Sequence, residues 1–285
     1  MKYPRILHYP GSKWSMADWI IEHMPEHETY LEPFFGSGAV LFNKAPSKIE
    51  TVNDLDGQVV NLFRVIRDRP EELAEKIRWT PYSRQEYYES YELTGDELED
   101  ARRFLIRCWM ARGAKTSDRT GWRHIIDTNG PSVTKSWAEV PEKILAVTER
   151  LRYVQIEQQP ALQLIERHRR SDVLIYADPP YILATRNNRM YKHEMTDDDH
   201  LELLDALDAH PGPVLLSGYA HPLYDERLQH WHRETKVVQA EGGRRRTEVL
   251  WINPVAMSQM GQQTIFSLQG YSSVRWGVGH VLDLN

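Results

Sequence analysis

A short apolar run, Val173-Leu174-Ile175-Tyr176-Ala177, stops abruptly at Asp178-Pro179-Pro180-Tyr181. Aliphatic, β-branched and aromatic residues ended by an acid and two prolines predict a buried strand closing in a rigid turn. Neither proline nitrogen carries a hydrogen, so neither donates to a neighbouring strand. The carbonyls of Asp178 and Pro179 are then free to point into a pocket at the strand's C-terminal edge, where open α/β sheets place ligands. The turn offers a carboxylate, fixed carbonyl acceptors and a flat aromatic ring, a set suited to a planar ring bearing an exocyclic amine. Alone, Asp-Pro-Pro-Tyr is as readily a surface turn behind a core strand, and the rest of the chain has to decide.

Three other stretches accompany it. Tyr9-Pro10-Gly11-Ser12-Lys13 precedes Trp14, Ala17, Ile20, Ile21 and Met24 at helical spacing, which sets Lys13 near a helix N-terminus. Glu32-Pro33-Phe34-Phe35-Gly36-Ser37-Gly38 follows a first strand, Thr29 to Glu32, and reads as a glycine turn into a helix. Without Cβ atoms such a turn lets a ligand approach the backbone, although the third glycine of a dinucleotide fingerprint is missing. Asp54 follows a second strand, Ile49 to Val52; an acid there reaches ribose hydroxyls in Rossmann-like sheets. Asp56 caps the helix carrying Val59, Leu62, Phe63 and Ile66.

With these motifs in this order, the sequence resembles the Dam-like (D12 class, alpha group) DNA adenine N6-methyltransferases over residues 3–66 and 150–254. The resemblance implies an α/β, Rossmann-like S-adenosylmethionine-dependent methyltransferase fold. Its mixed sheet ends in an antiparallel hairpin, and a mainly helical target-recognition insertion interrupts it. The catalytic and cofactor-binding domain is then 1–66 with 150–285, the insertion is 67–149, and the tail 255–285 is unassigned. The implied cofactor is S-adenosyl-L-methionine, held by Tyr9, Lys13, Glu32, Phe34, Gly36, Gly38, Asp54 and Asp178, with Lys13 on the donor's carboxylate. Asp178, Pro179, Pro180 and Tyr181 become catalytic. The Asp178 carboxylate and the Pro179 carbonyl accept the N6 hydrogens of an adenine flipped out of the duplex, and Tyr181 stacks on its ring. No covalent enzyme–base intermediate is expected, since cytosine C5 methylation uses a cysteine nucleophile and Cys108 lies in no such context. No metal is expected, because the sulfonium donor is already activated. Two departures stand out. The family usually has two glycines before the lysine, where this chain has Gly11-Ser12, and the insertion does not match the segment of GATC-specific members.

The insertion carries the charge argument. The chain has a formal net charge of −6, which argues against indiscriminate coating of nucleic acid. From Ala101 to Ser136, however, eight Lys/Arg face only two acids, Asp118 and Asp127. A helix from Asp100 to about Ala111 is expected to turn Phe104, Leu105, Cys108 and Trp109 inward, leaving Arg102 and Arg103 free to face out. Ser83 and Glu86 form an expected capping box. The segment 112–124 supplies Arg112, Lys115, Arg119, an exposed Trp122 and Arg123 for phosphates and base edges. After the central turn, Ile182 to Met195 reads as a mobile basic loop, adding Arg186, Arg189 and Lys192.

Asp197-Asp198-Asp199-His200 suggests a metal set, but Thr196 as a helix cap followed by acids in the first turn explains it more simply, with Leu201, Leu204 and Leu207 as the buried stripe. Thr235 to Ala240 and Thr247 to Ile252 predict a hairpin with a basic tip, Glu241 to Arg246. The single Cys108 rules out a cysteine-built zinc site and an intramolecular disulfide. No run approaches a membrane span and Met1 to Arg5 resembles no secretory signal, so a soluble, cytoplasmic protein is expected.

The partners follow from the resemblance: double-stranded DNA, no membrane, room for a cognate restriction endonuclease, and a monomer. Cytosine N4 methylation is the nearest alternative chemistry, against which the acid at Asp178 speaks. RNA methylation and a catalytically silent, sequence-specific DNA-binding protein are the others.

Overall fold

The computed structural model describes residues 3–113, 115–127, 132–186, 189–239 and 245–262. Helix α1 (Ala17–Glu22) precedes strands β1 (Thr29–Glu32) and β2 (Ile49–Asn53). Helices α2 (Gly57–Asp68), α3 (Pro70–Arg78), α4 (Arg84–Glu89), α5 (Glu97–Met110), α6 (Val133–Ala138) and α7 (Val140–Leu151) then follow. Strand β3 (Val154–Glu157), helix α8 (Ala161–Arg167) and strand β4 (Val173–Ala177) lead to a 3₁₀ turn at Leu183–Thr185. Helix α9 (Asp197–Asp208), strand β5 (Val214–Gly218), helix α10 (Pro222–Arg227) and strands β6 (His232–Gln239) and β7 (Arg245–Ile252) complete the named elements.

The strands form one seven-stranded sheet in the order β3-β2-β1-β4-β5-β7-β6. The first five are parallel, and β7 and β6 close the sheet as an antiparallel hairpin, as expected for a methyltransferase sheet. The order reverses between β1 and β4, since the chain leaves β1 toward β2 and returns on its other side. At such a switch point the loops leaving the two strands diverge and open a crevice at their C-terminal ends. The two ends here are Glu32 and Ala177, just before the motifs singled out above.

Side chains alternate across this sheet. Tyr30, Leu174, Tyr176, Leu215 and Leu250 enter one buried cluster, while Leu31, Val173, Ile175, Leu216 and Trp251 enter the other. Helices α9 and α10 cover the second face through Leu203, Leu204, Leu207 and Tyr224. The first face is covered by α2 and by the helices of the 67–149 segment: Val59, Phe63, Phe104, Leu105, Ile144 and Val147 share a single core. The segment therefore has no core of its own. Trp109 Nε1 donates to the Ile6 carbonyl at 2.9 Å, and Arg150 on α7 reaches Glu50 of β2 at 2.7 Å, where Lys44 also donates at 2.6 Å. All three charged side chains of that triad are buried, so its strength rests on complete pairing.

Several expectations need adjustment. The glycine turn leads into successive turns rather than a regular helix, with Phe42 N–H on Gly38 O and Lys44 N–H on Val40 O. Helix α5 starts at Glu97 because Asp96 caps it through the Glu99 N–H at 2.7 Å. Ser83 caps α4, but the Glu86 carboxylate goes to Arg102, so only half of the capping box forms. Thr196 and Asp199 do form a complete capping box on α9. The buried stripe of that helix is His200, Leu203, Leu204 and Leu207, whereas Leu201 is exposed. Beyond Asn253, residues 254–262 are helical with Ala256 buried. The hairpin tip at 240–244 and the stretch Tyr271 to Val281 lie outside the described residues. Among those residues no helix is long and apolar enough to cross a membrane.

Candidate active site

Register brings the central turn to its partners. Ala177 pairs with Leu216, so the next residues, Asp178 and Ser217, emerge side by side from β4 and β5. Ser217 Oγ lies 2.7 Å from Asp178 Oδ1, and Lys13 Nζ lies 2.9 Å from the same oxygen. Lys13 also donates to the Gly11 carbonyl at 2.7 Å, and its ammonium stands 4.7 Å from the centroid of the Tyr181 ring. Tyr181 donates its hydroxyl to Glu248 Oε2 at 2.7 Å and meets Tyr219 edge-on with 4.5 Å between centroids. Tyr176 holds Ser217 from below, 3.1 Å between hydroxyl oxygens. Strands β4, β5 and β7 thus meet in one polar cluster at the mouth of the sheet.

Burial sets its electrostatics. Burial works against the Lys13 charge, but Asp178 and Glu248 outweigh it and hold the ammonium above the ordinary lysine value. Burial pushes the Glu248 carboxyl up, against the pull of Lys13 and the Tyr181 hydroxyl. The Glu32 carboxyl, buried beneath the cavity, is pushed up to about 8 although Tyr30 donates to it.

The cavity beside this cluster holds about 250 Å³. It is lined by Tyr9, Lys13, Glu32, Phe34, Gly36, Asp54 and Asp178, all expected to hold the cofactor, and by Pro160, Leu162 and Tyr191. The glycine turn is fastened to the exit of β2: Gly36 N–H donates to Asp54 Oδ2 at 2.8 Å, and Asp56 N–H to Oδ1 at 2.9 Å. Burial pushes Asp54 up to about 6 against both hydrogen bonds. Gly36 has φ +49°, and a Cβ there would stand 3.1 Å from the Tyr9 ring. Gly38 differs from expectation. It does not line the cavity, and a Cβ would strike the rings of Phe35 and Phe42 at 2.6 and 2.7 Å, so its work is packing.

The cations expected to bind DNA divide. Arg112 and Arg119 are exposed, Arg119 resting over the Tyr88 ring at 4.8 Å. Lys115 faces a smaller cavity with Asp56, Cys108 and Lys192, and Arg123 is half-buried. Arg189 and Lys192 are exposed, the latter 3.6 Å from Asp56. Trp122 is not exposed: it packs on Tyr82, stacks with His124 and lies under Arg84. Arg186 is not available to DNA either. Its side chain is 4% exposed, paired with Glu194 and bonded to the Tyr181 carbonyl at 2.9 Å. Nor are Arg102 and Arg103 free, since Glu86, Glu99 and the carbonyls of Glu89 and Glu92 engage them.

Residues 189–195 are tied to the insertion and to one another. Met190 O accepts from the Thr116 and Ser117 N–H groups, while Glu194 accepts from the N–H of Met190 and Tyr191. Ser217, Glu248 and Tyr191 are cluster or cavity residues that sequence reasoning missed. A polar residue inside an apolar strand, as in Val214-Leu215-Leu216-Ser217 and Glu248-Val249-Leu250, was the available signal for the first two. Tyr191 lies in a stretch without periodicity and gave none.

Known proteins match this chain over most of its length. The sequence model of the D12 class N6 adenine-specific DNA methyltransferases matches residues 9–241. The type II methyltransferase M1.LlaDCHI of Lactococcus lactis subsp. cremoris is 28% identical over 239 residues, 76% of this chain and 82% of its own. The DNA adenine methylase of Salmonella typhi is 25% identical over 256 residues, 84% of this chain and 91% of its own. That of Escherichia coli (strain K12) is 24% identical over the same span and shares.

Proposed function

The chain belongs to the D12 class N6 adenine-specific DNA methyltransferases, and from that premise we propose how its residues divide the work on a flipped adenine of double-stranded DNA. The observation that carries the assignment is the position of Asp178. It stands at the switch point of the sheet, with Oδ1 fixed by Ser217 and Lys13, on the wall of the cavity that Asp54 and Phe34 also line.

The cavity's chemistry fits S-adenosylmethionine, the cofactor of this class. Asp54 offers acceptor oxygens for ribose hydroxyls, and Phe34, Pro160 and Leu162 offer apolar surface for a planar base. Gly36 lets the ligand near the backbone, and Lys13 offers a cation for a carboxylate. When bound, the cofactor supplies an electrophilic methyl group on a sulfonium. The chain's own residues do the rest. The Asp178 carboxylate and the Pro179 carbonyl accept the amine hydrogens, which aims the nitrogen lone pair and offsets the positive charge that develops on N6. Tyr181, its hydroxyl fixed by Glu248, presents its ring to the base. Residues 67–149 serve target recognition, with the exposed Arg112 and Arg119 and the nearby Arg189 and Lys192 supplying cations for phosphate. The enzyme works as a cytoplasmic monomer, alone or beside a cognate restriction endonuclease.

The test is methyl transfer from labelled S-adenosylmethionine to mixed unmethylated DNA, read by sequencing that resolves modified bases, with Asp178→Ala as control. The expected product is N6-methyladenine at one short motif, absent with the variant. N4-methylcytosine, or cofactor and DNA binding without any modified base, would overturn the assignment.

A further inference from the structure

The Lys13 ammonium stands on two groups that the substrate proposed above has to meet. An adenine read as above has to meet two groups, the Asp178 carboxylate and the face of Tyr181. Lys13 holds both: it is 2.9 Å from Asp178 Oδ1 and 4.7 Å from the ring centroid, with its side chain 4% exposed. A cation on a tyrosine face beside a carboxylate is a favourable arrangement, and Glu248 adds a second negative group nearby. Oδ1 already takes the Ser217 hydroxyl at 2.7 Å, so with Lys13 in place that oxygen has two donors. No base can stack on that face until Lys13 withdraws.

We infer that Lys13 is a positioning residue with two stations, one on Asp178, where it stands in this structure, and one on the cofactor's carboxylate. Lys13 lines both the cluster and the cavity, and a carboxylate in the cavity is the charge able to replace Asp178 as its partner. Withdrawal leaves Ser217 holding Oδ1, so Asp178 stays aimed while the ring face opens. Base entry therefore requires the cofactor's carboxylate first. This rests on the roles proposed above for Asp178 and Tyr181.

The test uses the whole protein and a duplex carrying 2-aminopurine at the adenine that sequencing shows to be methylated. Fluorescence reports the unstacked base. The wild type alone should leave the signal near that of free duplex, and sinefungin, which keeps the amino-acid carboxylate, should raise it about tenfold, an ordinary size for coupling between sites. 5′-Methylthioadenosine, which lacks the carboxylate, should leave it low. Lys13→Gln should raise the signal without any cofactor analogue. A full signal from the wild type alone, equal signals with the two analogues, or no rise with sinefungin would overturn the inference, as would a folded Lys13→Gln protein that still needs sinefungin. Should Lys13→Gln fail to fold, the wild-type comparison of the two analogues decides. If sequencing finds no methylated adenine at all, the proposed function fails before this experiment begins.

Discussion

At the mouth of the sheet, Asp178, Lys13 and Glu248 sit together in a buried cluster beside the cavity, with Ser217 and Tyr181 fixing them from adjacent strands. Across the helical segment 67–149 the charges are arranged otherwise. Arg102 and Arg103 are engaged by Glu86, Glu99 and backbone carbonyls, and Arg107 by the Ser90 carbonyl and Gln58, leaving Arg112 and Arg119 at the surface. A surplus of cations in sequence therefore overstates the cations that can meet phosphate. Helices built from long charged side chains use many of those charges to hold each other, while among the described residues the connecting segment keeps Arg112 and Arg119 at the surface. In the cluster every charge has a chemical neighbour, while in the insertion most have a structural one.

The strongest challenge to this contrast is Asp178→Asn, which keeps the shape but removes the charge that offsets the developing cation. It should slow methyl transfer by about 10²–10³-fold and also lower thermal stability, because the buried Lys13 loses the charge it is paired with; a rate loss below tenfold would remove Asp178 from the chemistry. The buried half also predicts a pH effect. Burial raises the Glu32 pKa from the ordinary 4.5 to about 8, so the folded protein retains a proton that the unfolded chain has released. That contribution is complete below about 4.5 and is lost as pH rises toward about 8. Glu32→Gln cannot ionise and should flatten this arm, melting higher than wild type at pH 8; an unchanged slope of melting temperature against pH would contradict it.

A pair of arginine variants tests the other half. Arg102→Met should cost about 1–3 kcal/mol of stability, because Glu86 and Glu99 lose a half-buried partner, yet leave the salt dependence of DNA binding unchanged. Arg119→Ala should do the reverse, lowering the slope of log affinity against log salt by about 1 with stability intact. Identical behaviour of the two would erase the distinction. The smallest effect belongs to Ser217→Ala, which frees one of two bonds to Asp178 Oδ1. The rate should fall about fivefold, the worth of one ordinary hydrogen bond, and single-turnover kinetics would resolve it.

Legibility followed the same division. Motifs whose chemistry depends on local backbone, such as the prolines after Asp178, the turn at Gly36 and the caps at Asp56 and Thr196, were readable because turn and cap geometry is set by a few neighbouring residues. The strands fell within a residue or two of expectation at β1, β2 and β4. What stayed hidden needed the sheet's register or the packing of distant helices. Ser217 meets Asp178 only because β5 lies beside β4, and Glu248 meets Tyr181 only because β7 turns back next to β5. Arg186 and Trp122 looked exposed because basic, glycine-bearing stretches usually are, while Glu194 and Tyr82 drew them inward.

The core that α5 and α7 share with the sheet bears on how a protein of this design could acquire a different target. With Trp109 bonded to Ile6, and with Phe104, Ile144 and Val147 in the core shared with the sheet, residues 67–149 are no detachable cartridge. Transplanting them between relatives would sever a common interior. The segment around Arg112 and Arg119, by contrast, pairs back to the end of α5 at Ala111 and Trp122, and its exposed arginines can change without touching that interior. With the recognition role proposed for residues 67–149, novelty in DNA preference would accumulate there by single substitutions, over a scaffold that holds still.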